Sequence, residues 1–220
     1  MKKEMIKLKD ILSEVDGTKA KNIKDYHNSK NKVKNFKQFV NERYDINTMP
    51  NNIVLLSLLY KDAGKFFLYD ITQQKVVGFI VFDDVVDRVY SENDGFGAFL
   101  YETAMTYVFP KGLSMSREGS TSEEALVVWD KFNQRSDVKK ERMYSSETTY
   151  KKEKLPLLNK YKNNPKKLQH ILDLEDTKFF YSYGKNKLNN LIEIGNKYMQ
   201  ENGISESDLD NMEVNIDFSD

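Results

Sequence analysis

Residues 91–105 read SENDGFGAFLYETAM, a polar stretch that passes through Gly95 and Gly97 into an apolar, helical spacing. Phe96, Leu100, Ala104 and Val108 fall on one face of a helix that ends before Pro110 and Gly112. A Gly-x-Gly turn at the head of a helix has two readings. It is a flexible entry into a core helix, or it is a seat for a phosphate group. The first turn of a helix leaves backbone N–H groups without intrahelical acceptors, and the helix dipole adds about half a positive charge there. Glycine permits both positive φ and close approach of a ligand to the backbone. The neighbouring elements decide between the two.

Upstream, IVLLSLLY (53–60) is a continuous apolar run that suits a buried strand or a short buried helix. KFFLYDI and KVVGFIVFD, joined through the turn TQQ, read as a β-hairpin, and VVDRVY (85–90) as a third strand reached through Asp83 and Asp84. Downstream, GLSMSR reads as a short strand. STSEEALVVWDKF reads as a helix with Ser/Thr caps, two glutamates in its first turn, and Ala125, Val128, Trp129 and Phe132 on one side. The middle of the chain therefore reads β-β-β-α-β-α, a mixed α/β (α+β) domain. Neither common nucleotide fingerprint fits. There is no Gly-Lys-Ser/Thr, and Leu100 stands where G-x-G-x-x-G needs its third glycine. The strand before the turn also belongs to a meander, unlike the opening strand of a Rossmann unit.

Around this core (51–138) the sequence predicts three further segments. Residues 1–50 form an N-terminal helical segment, with Met5, Leu8, Ile11, Leu12 and Val15 on one helical face and Val33, Phe36, Val40 and Tyr44 on a second. Residues 139–167 read as a polar, Lys-rich linker with Pro156 and Pro165. Residues 168–220 (LQHILDL, KFFYSYG, KLNNLIEIGNKYM) read as an extension that returns a strand to the core and ends in an acidic tail. With 34 basic and 34 acidic residues in 220, net charge singles out no partner, but its distribution is uneven. Residues 138–167 hold ten Lys/Arg against three Glu, and the last twenty residues hold seven acids and no base. Such a pair of segments binds nucleic acid or an acidic partner, or neutralises itself.

The absence of Cys excludes disulfides, thiolate metal sites and a cysteine nucleophile, and suits a reducing cytoplasm. No run reaches the ~20 apolar residues of a membrane span, and MKKEMIKLKDILSEV lacks the apolar segment of a signal peptide. A cytoplasmic protein without membrane contact is expected. His27 and His170 lie far from the turn, and no metal-ligand spacing or catalytic triad emerges.

The meander, the Gly-x-Gly turn, the helix GFGAFLYETAM, the following strand and STSEEALVVWDKFNQRSDV together resemble the GNAT superfamily of acetyl-CoA-dependent N-acetyltransferases over roughly residues 53–138. In that family the turn reads Gln/Arg-x-x-Gly-x-Gly/Ala, and its amides hold the CoA pyrophosphate. A second block reads Asn-x-x-Ala-x-x-Leu-Tyr-x-x-x-Gly-Phe. Gly95 and Gly97 match the turn glycines, and Ala125, Val128 and Trp129 match Ala, Leu and Tyr of the second block. The wording GFG, LYE, AM and VWDKFNQRSDV also looks like GNAT-like proteins of tailed bacteriophages, which implies a bacterial or phage-infected host cytoplasm.

The resemblance implies a mostly antiparallel central sheet flanked by helices, two central strands parting beside Gly95–Gly97, and acetyl-CoA as co-substrate. Acetyl would pass by direct attack to an amine on a small molecule or a protein. The cofactor would meet the amides of Phe96, Gly97 and Ala98, with Tyr90, Glu92, Gly95 and Ser122 around them. Three positions depart from the pattern. Glu92 stands where Gln or Arg usually begins the turn, and Ser122 replaces the capping Asn. Trp129 replaces a Tyr that many members use as general acid, and an indole donates a hydrogen bond without ionising usefully. Asp83, Asp84, Asp87 and Glu92 are the candidate bases, with Tyr90 and the hydroxyls of Ser114, Ser116 and Ser120 as substitutes or positioning groups. The catalytic set is then Asp84, Asp87, Tyr90 and Trp129. The same departures also suit a GNAT fold without catalysis, a phage binding or virion-associated protein. The basic segment 138–167 suits a nucleic-acid or host-protein binder.

Overall fold

Four consecutive strands form an antiparallel meander in the computed structural model: β1 (Ile53–Leu59), β2 (Gly64–Asp70), β3 (Lys75–Phe82) and β4 (Val86–Ser91). The structure describes residues 49–92, 95–115, 121–143 and 159–214. The chain divides between Asn41 and Glu42, and all of these residues belong to the second unit. The two N-terminal helical faces, His27, Ser116, Ser120, the middle of the basic segment and the last residues of the acidic tail lie outside the described residues.

The run 53–60 is a strand because the meander is buried on both sides. Leu55 packs with Phe66 and Leu68 on one face, while Leu56 and Leu58 pack with Phe67 and Tyr69 on the other. A strand with two apolar faces shows no alternation, so periodicity could not separate it from a helix.

After β4 the chain enters α1 (Phe96–Val108), which packs across β3 and β4. Then follow β5 (Leu113–Ser114), α2 (Glu123–Gln134), β6 (Lys139–Arg142), α3 (Pro165–Glu175), β7 (Thr177–Phe180), α4 (Lys185–Asn202) and α5 (Glu206–Val214). The molecule is thus mixed α+β. The strand expected to return from the C-terminal extension is β7. It pairs antiparallel with β5 on one side and β6 on the other, giving a second sheet of order β5-β7-β6. The first four residues of the segment that reads as linker are β6 itself.

The two sheets meet at one parallel bridge, Val85 to Ser114. Ser114 secures it by donating both its N–H (3.1 Å) and its Oγ–H (3.0 Å) to the Asp84 carbonyl. At the far side of the meander, α4 lies against the outer edge of β1. Leu188, Leu191 and Ile192 join the core on the α1 side, and Tyr198 and Met199 join the opposite one. Gly195 makes this possible, because a Cβ there would lie 1.9 Å from the Leu55 carbonyl oxygen. A helix so placed covers an edge that would otherwise pair with another chain.

Candidate functional site

The glycine turn is built by opposite demands at its two glycines. Gly95 caps α1 with φ 90°, a left-handed conformation that costs any L-residue about 1–2 kcal/mol. Gly95 has no side chain with which to cap the helix, and no acid stands in its first turn. Phe96 anchors the turn in the core at 2% exposure. At Gly97 the nearest described atom to an added Cβ is Ser91 Oγ at 3.6 Å, an ordinary contact distance. The positive end of the helix dipole therefore lies beside a partly buried glycine.

The space in front of it is set by β4. On one side β4 pairs with β3 from Val86 to Ser91. On the other, among the described residues, no strand pairs with Val86–Ser91; the contact with β5 ends at the Val85–Ser114 bridge. Beyond that bridge β4 runs on for about 20 Å, at ~3.3 Å per residue, with no partner strand on this side among the described residues. Its carboxyl end leads toward the head of α1.

The structure sorts the candidate residues into groups. Tyr90, Glu92, Gly95, Phe96, Gly97 and Ala98 run from the end of β4 into the first turn of α1, but Tyr90 packs with Phe67, Tyr69 and Phe79, on the face of the meander opposite Phe96. Glu92 continues the ladder by donating its N–H to the Val77 carbonyl (2.9 Å), and its carboxylate meets Lys75 Nζ at 2.6 Å. That hydrogen bond holds the Lys75 pKa above its ordinary value. Tyr90 packs its ring on Phe79, centroids 6.0 Å apart. Burial, then the charge and hydrogen bond of Glu92, raise the Tyr90 pKa against the opposing pull of Lys75. The phenol keeps its proton at neutral pH and is a donor there.

Asp83, Asp84, Asp87 and Ser114 stand instead around the Val85–Ser114 bridge and the start of β4. Asp83 accepts the Val85 N–H in the turn at 2.8 Å, and Asp87 is exposed beside Arg88. The Ser114 hydroxyl is engaged with the Asp84 carbonyl. Two further candidates sit in structural positions. Ser122 caps α2 by accepting the Ala125 N–H. Trp129 is 1% exposed and enclosed by Tyr101, Phe132 and Phe179, at centroid distances of 5.1, 6.1 and 4.9 Å.

Outside both groups, His170 meets Asp130 on the surface at 3.1 Å. In the basic segment, Lys139 pairs with Glu141 and Arg142 with Asp173. Among the described residues no group of acids and histidines could hold a metal ion, and no helix is long and apolar enough to cross a membrane.

Sequence reasoning missed Lys75, Ser91 and a buried charge network. Lys75 is 17 positions from Glu92, and only the β3–β4 register brings them together. Glu102 is buried in α1 at 1% exposure and meets Arg135 Nη1 at 2.5 Å. Arg135 also grips Asp137 through Nε (2.9 Å) and Nη2 (2.6 Å), and lies over the rings of Phe132 and Tyr181. Burial alone would lower the Arg135 pKa; the bonds to Asp137 and Glu102 outweigh it and hold the guanidinium above its ordinary value. A lone Glu in an apolar helix is the only local signal of this network.

Comparison with protein-family models, with curated proteins and with solved structures yields no match.

Proposed function

We propose that this chain is a GNAT-like N-acetyltransferase that binds acetyl-CoA along β4 and passes the acetyl group to an amine. The observation that carries the reading is β4, which beyond the parallel Val85–Ser114 bridge has no partner strand on that side among the described residues and leads to a glycine-headed helix. Length supports it. The pantetheine arm runs through roughly thirteen bonds from phosphorus to sulfur, about 15 Å when extended. A pyrophosphate on the amides of Phe96, Gly97 and Ala98 would therefore bring the thioester to the neighbourhood of Asp87, near the start of β4.

The chemistry then needs few groups. A neutral amine attacks the thioester carbonyl, the tetrahedral intermediate expels the thiolate, and the amine proton leaves to a base. Asp87 is the carboxylate on β4 nearest that point, with Asp84 beyond it. Tyr90, protonated, would serve as a hydrogen-bond donor on β4. The test is calorimetric titration of CoA into the full chain and into Gly97→Trp, followed by thiol release from acetyl-CoA across a panel of amines. Tight binding lost in Gly97→Trp supports the reading; no CoA binding by the wild type refutes it. One observation favours a second reading, a GNAT fold that binds CoA without turnover. Trp129 is sealed in the core, so α2 presents no ionisable hydroxyl at the position of the family's general acid. CoA binding with no thiol release above background for any amine would support that alternative.

A further inference from the structure

We infer that α5 is a hinged cover on the face of the meander opposite α1, and that it opens while the rest of the domain stays folded. The strand register lays that face out in rows. Leu58, Lys65 and Val81 are cross-strand partners in one row, and Leu56, Phe67, Phe79 and Tyr90 in the next. Side chains two residues apart on a strand share a face, so the rows lie side by side. Leu209 of α5 is fully enclosed in the cluster that the apolar members form. Asp210 meets Lys65 Nζ at 2.7 Å, which brings the helix to the first row.

The cover is lightly held. Of its side chains from Glu206 to Met212, Leu209 alone is fully buried, Met212 is partly buried and the rest are exposed. Asp210 is itself 55% exposed, and an ion pair so placed contributes little. The preceding helix is fixed far more firmly. α4 reaches the same face through Tyr198 and Met199, but Gly195 sets it against β1, and Leu188, Leu191 and Ile192 hold it from the α1 side. The joint between the two helices is Gly203, whose φ of 65° ends α4 in the left-handed conformation. No described atom lies within 4 Å of where its Cβ would be, so packing does not lock the joint. A nine-residue helix does not persist alone in water, so α5 unwinds as it leaves the sheet. Its departure gives up one buried leucine, whereas unfolding the meander gives up the whole core, and the smaller loss sets the more frequent opening. That opening uncovers Leu58 and the aromatic row beside it.

The test is hydrogen exchange on the full chain at urea concentrations below the unfolding transition. The amides of Leu209 to Met212 should exchange through an opening about tenfold or more as frequent as that of β2 and β3, with a weaker dependence on urea. Val108→Ala, on the α1 side of the core, should speed exchange in β2 and β3 and leave α5 unchanged. If the α5 amides share the rate and urea dependence of β2 and β3, or accelerate with them in Val108→Ala, the inference is overturned. The absence of cysteine supplies a second readout. The single thiol of Leu58→Cys, beneath α5, should react with a thiol reagent about tenfold or more faster than that of Val77→Cys, which is buried on the opposite face. Equal reaction of the two thiols would show that α5 covers nothing, and overturns the inference as well.

Discussion

Gly95 and Gly97 stand two residues apart, yet replacing them with alanine should move stability in opposite directions. At Gly95 the backbone has φ 90°, and a methyl group there costs about 1–2 kcal/mol. At Gly97 φ is not positive, and the nearest atom to the added Cβ, Ser91 Oγ at 3.6 Å, is at ordinary contact distance. Restricting the unfolded chain should then stabilise Gly97→Ala by about 0.4–1 kcal/mol. For a domain of this size that raises the melting temperature by about 1–4 °C, while Gly95→Ala lowers it by several degrees.

Binding should follow neither trend. A helical Cβ leans toward the N-terminus, so the new methyl at Gly97 stands where a phosphate approaches the amides. Losing one charge-assisted hydrogen bond costs about 1.5–3 kcal/mol, which weakens CoA binding at least tenfold. Thermal melts and calorimetry on the same preparations separate the effects. A more stable Gly97→Ala that binds CoA as well as the wild type would show that no phosphate comes near, and the reasoning fails. A less stable Gly97→Ala would show that this glycine serves the fold.

Other expectations concern the scaffold. Gly195→Ala places a Cβ 1.9 Å from the Leu55 carbonyl oxygen, so α4 must lift from β1, at a cost of about 2 kcal/mol or more in chemical denaturation. Arg135→Ala strands the Glu102 carboxylate in the core and should cost about 3–5 kcal/mol, whereas Arg135→Met combined with Glu102→Leu should cost less than Arg135→Ala alone. Asp70 has a lowered pKa, held down chiefly by the Gln73 N–H against the effect of burial, with Asn52 and Thr72 assisting. Its contribution to stability is therefore present above the unfolded carboxylate pKa of about 4 and is lost as pH falls through the lower folded value. Asp70→Asn should be less stable at neutral pH and should flatten the acid limb of the stability profile.

Much of the fold was legible where local pattern and environment agree. KFFLYDI and KVVGFIVFD are hairpin strands, and Ser122 caps the helix that STSEEALVVWDKF announces. The failures have physical causes. Lys139–Arg142 carries four charged residues and reads as linker, yet it is β6, held by pairing with β7 at an edge where charge is tolerated. In α1 the sequence offers one apolar face, but Phe99, Glu102, Thr103 and Thr106 are buried too. Tyr183 stacks on Phe99, donates its hydroxyl to Thr103 and its N–H to Thr106, and Arg135 answers Glu102. A helix covered on several sides by distant segments has no periodicity that reveals it.

Of the candidate site, the glycine turn and its helix were set by the sequence alone, because glycine tolerance of positive φ and helical spacing are local properties. The sequence also listed the acids. Only the tertiary structure could place them, since register and strand order join residues far apart in the chain. It put Asp84 and Asp87 about the start of β4 and Glu92 just past its end, buried Trp129 among three rings, and set Lys75 against Glu92. The parallel Val85–Ser114 bridge between the two sheets was likewise beyond any local pattern, because it joins segments far apart in the chain.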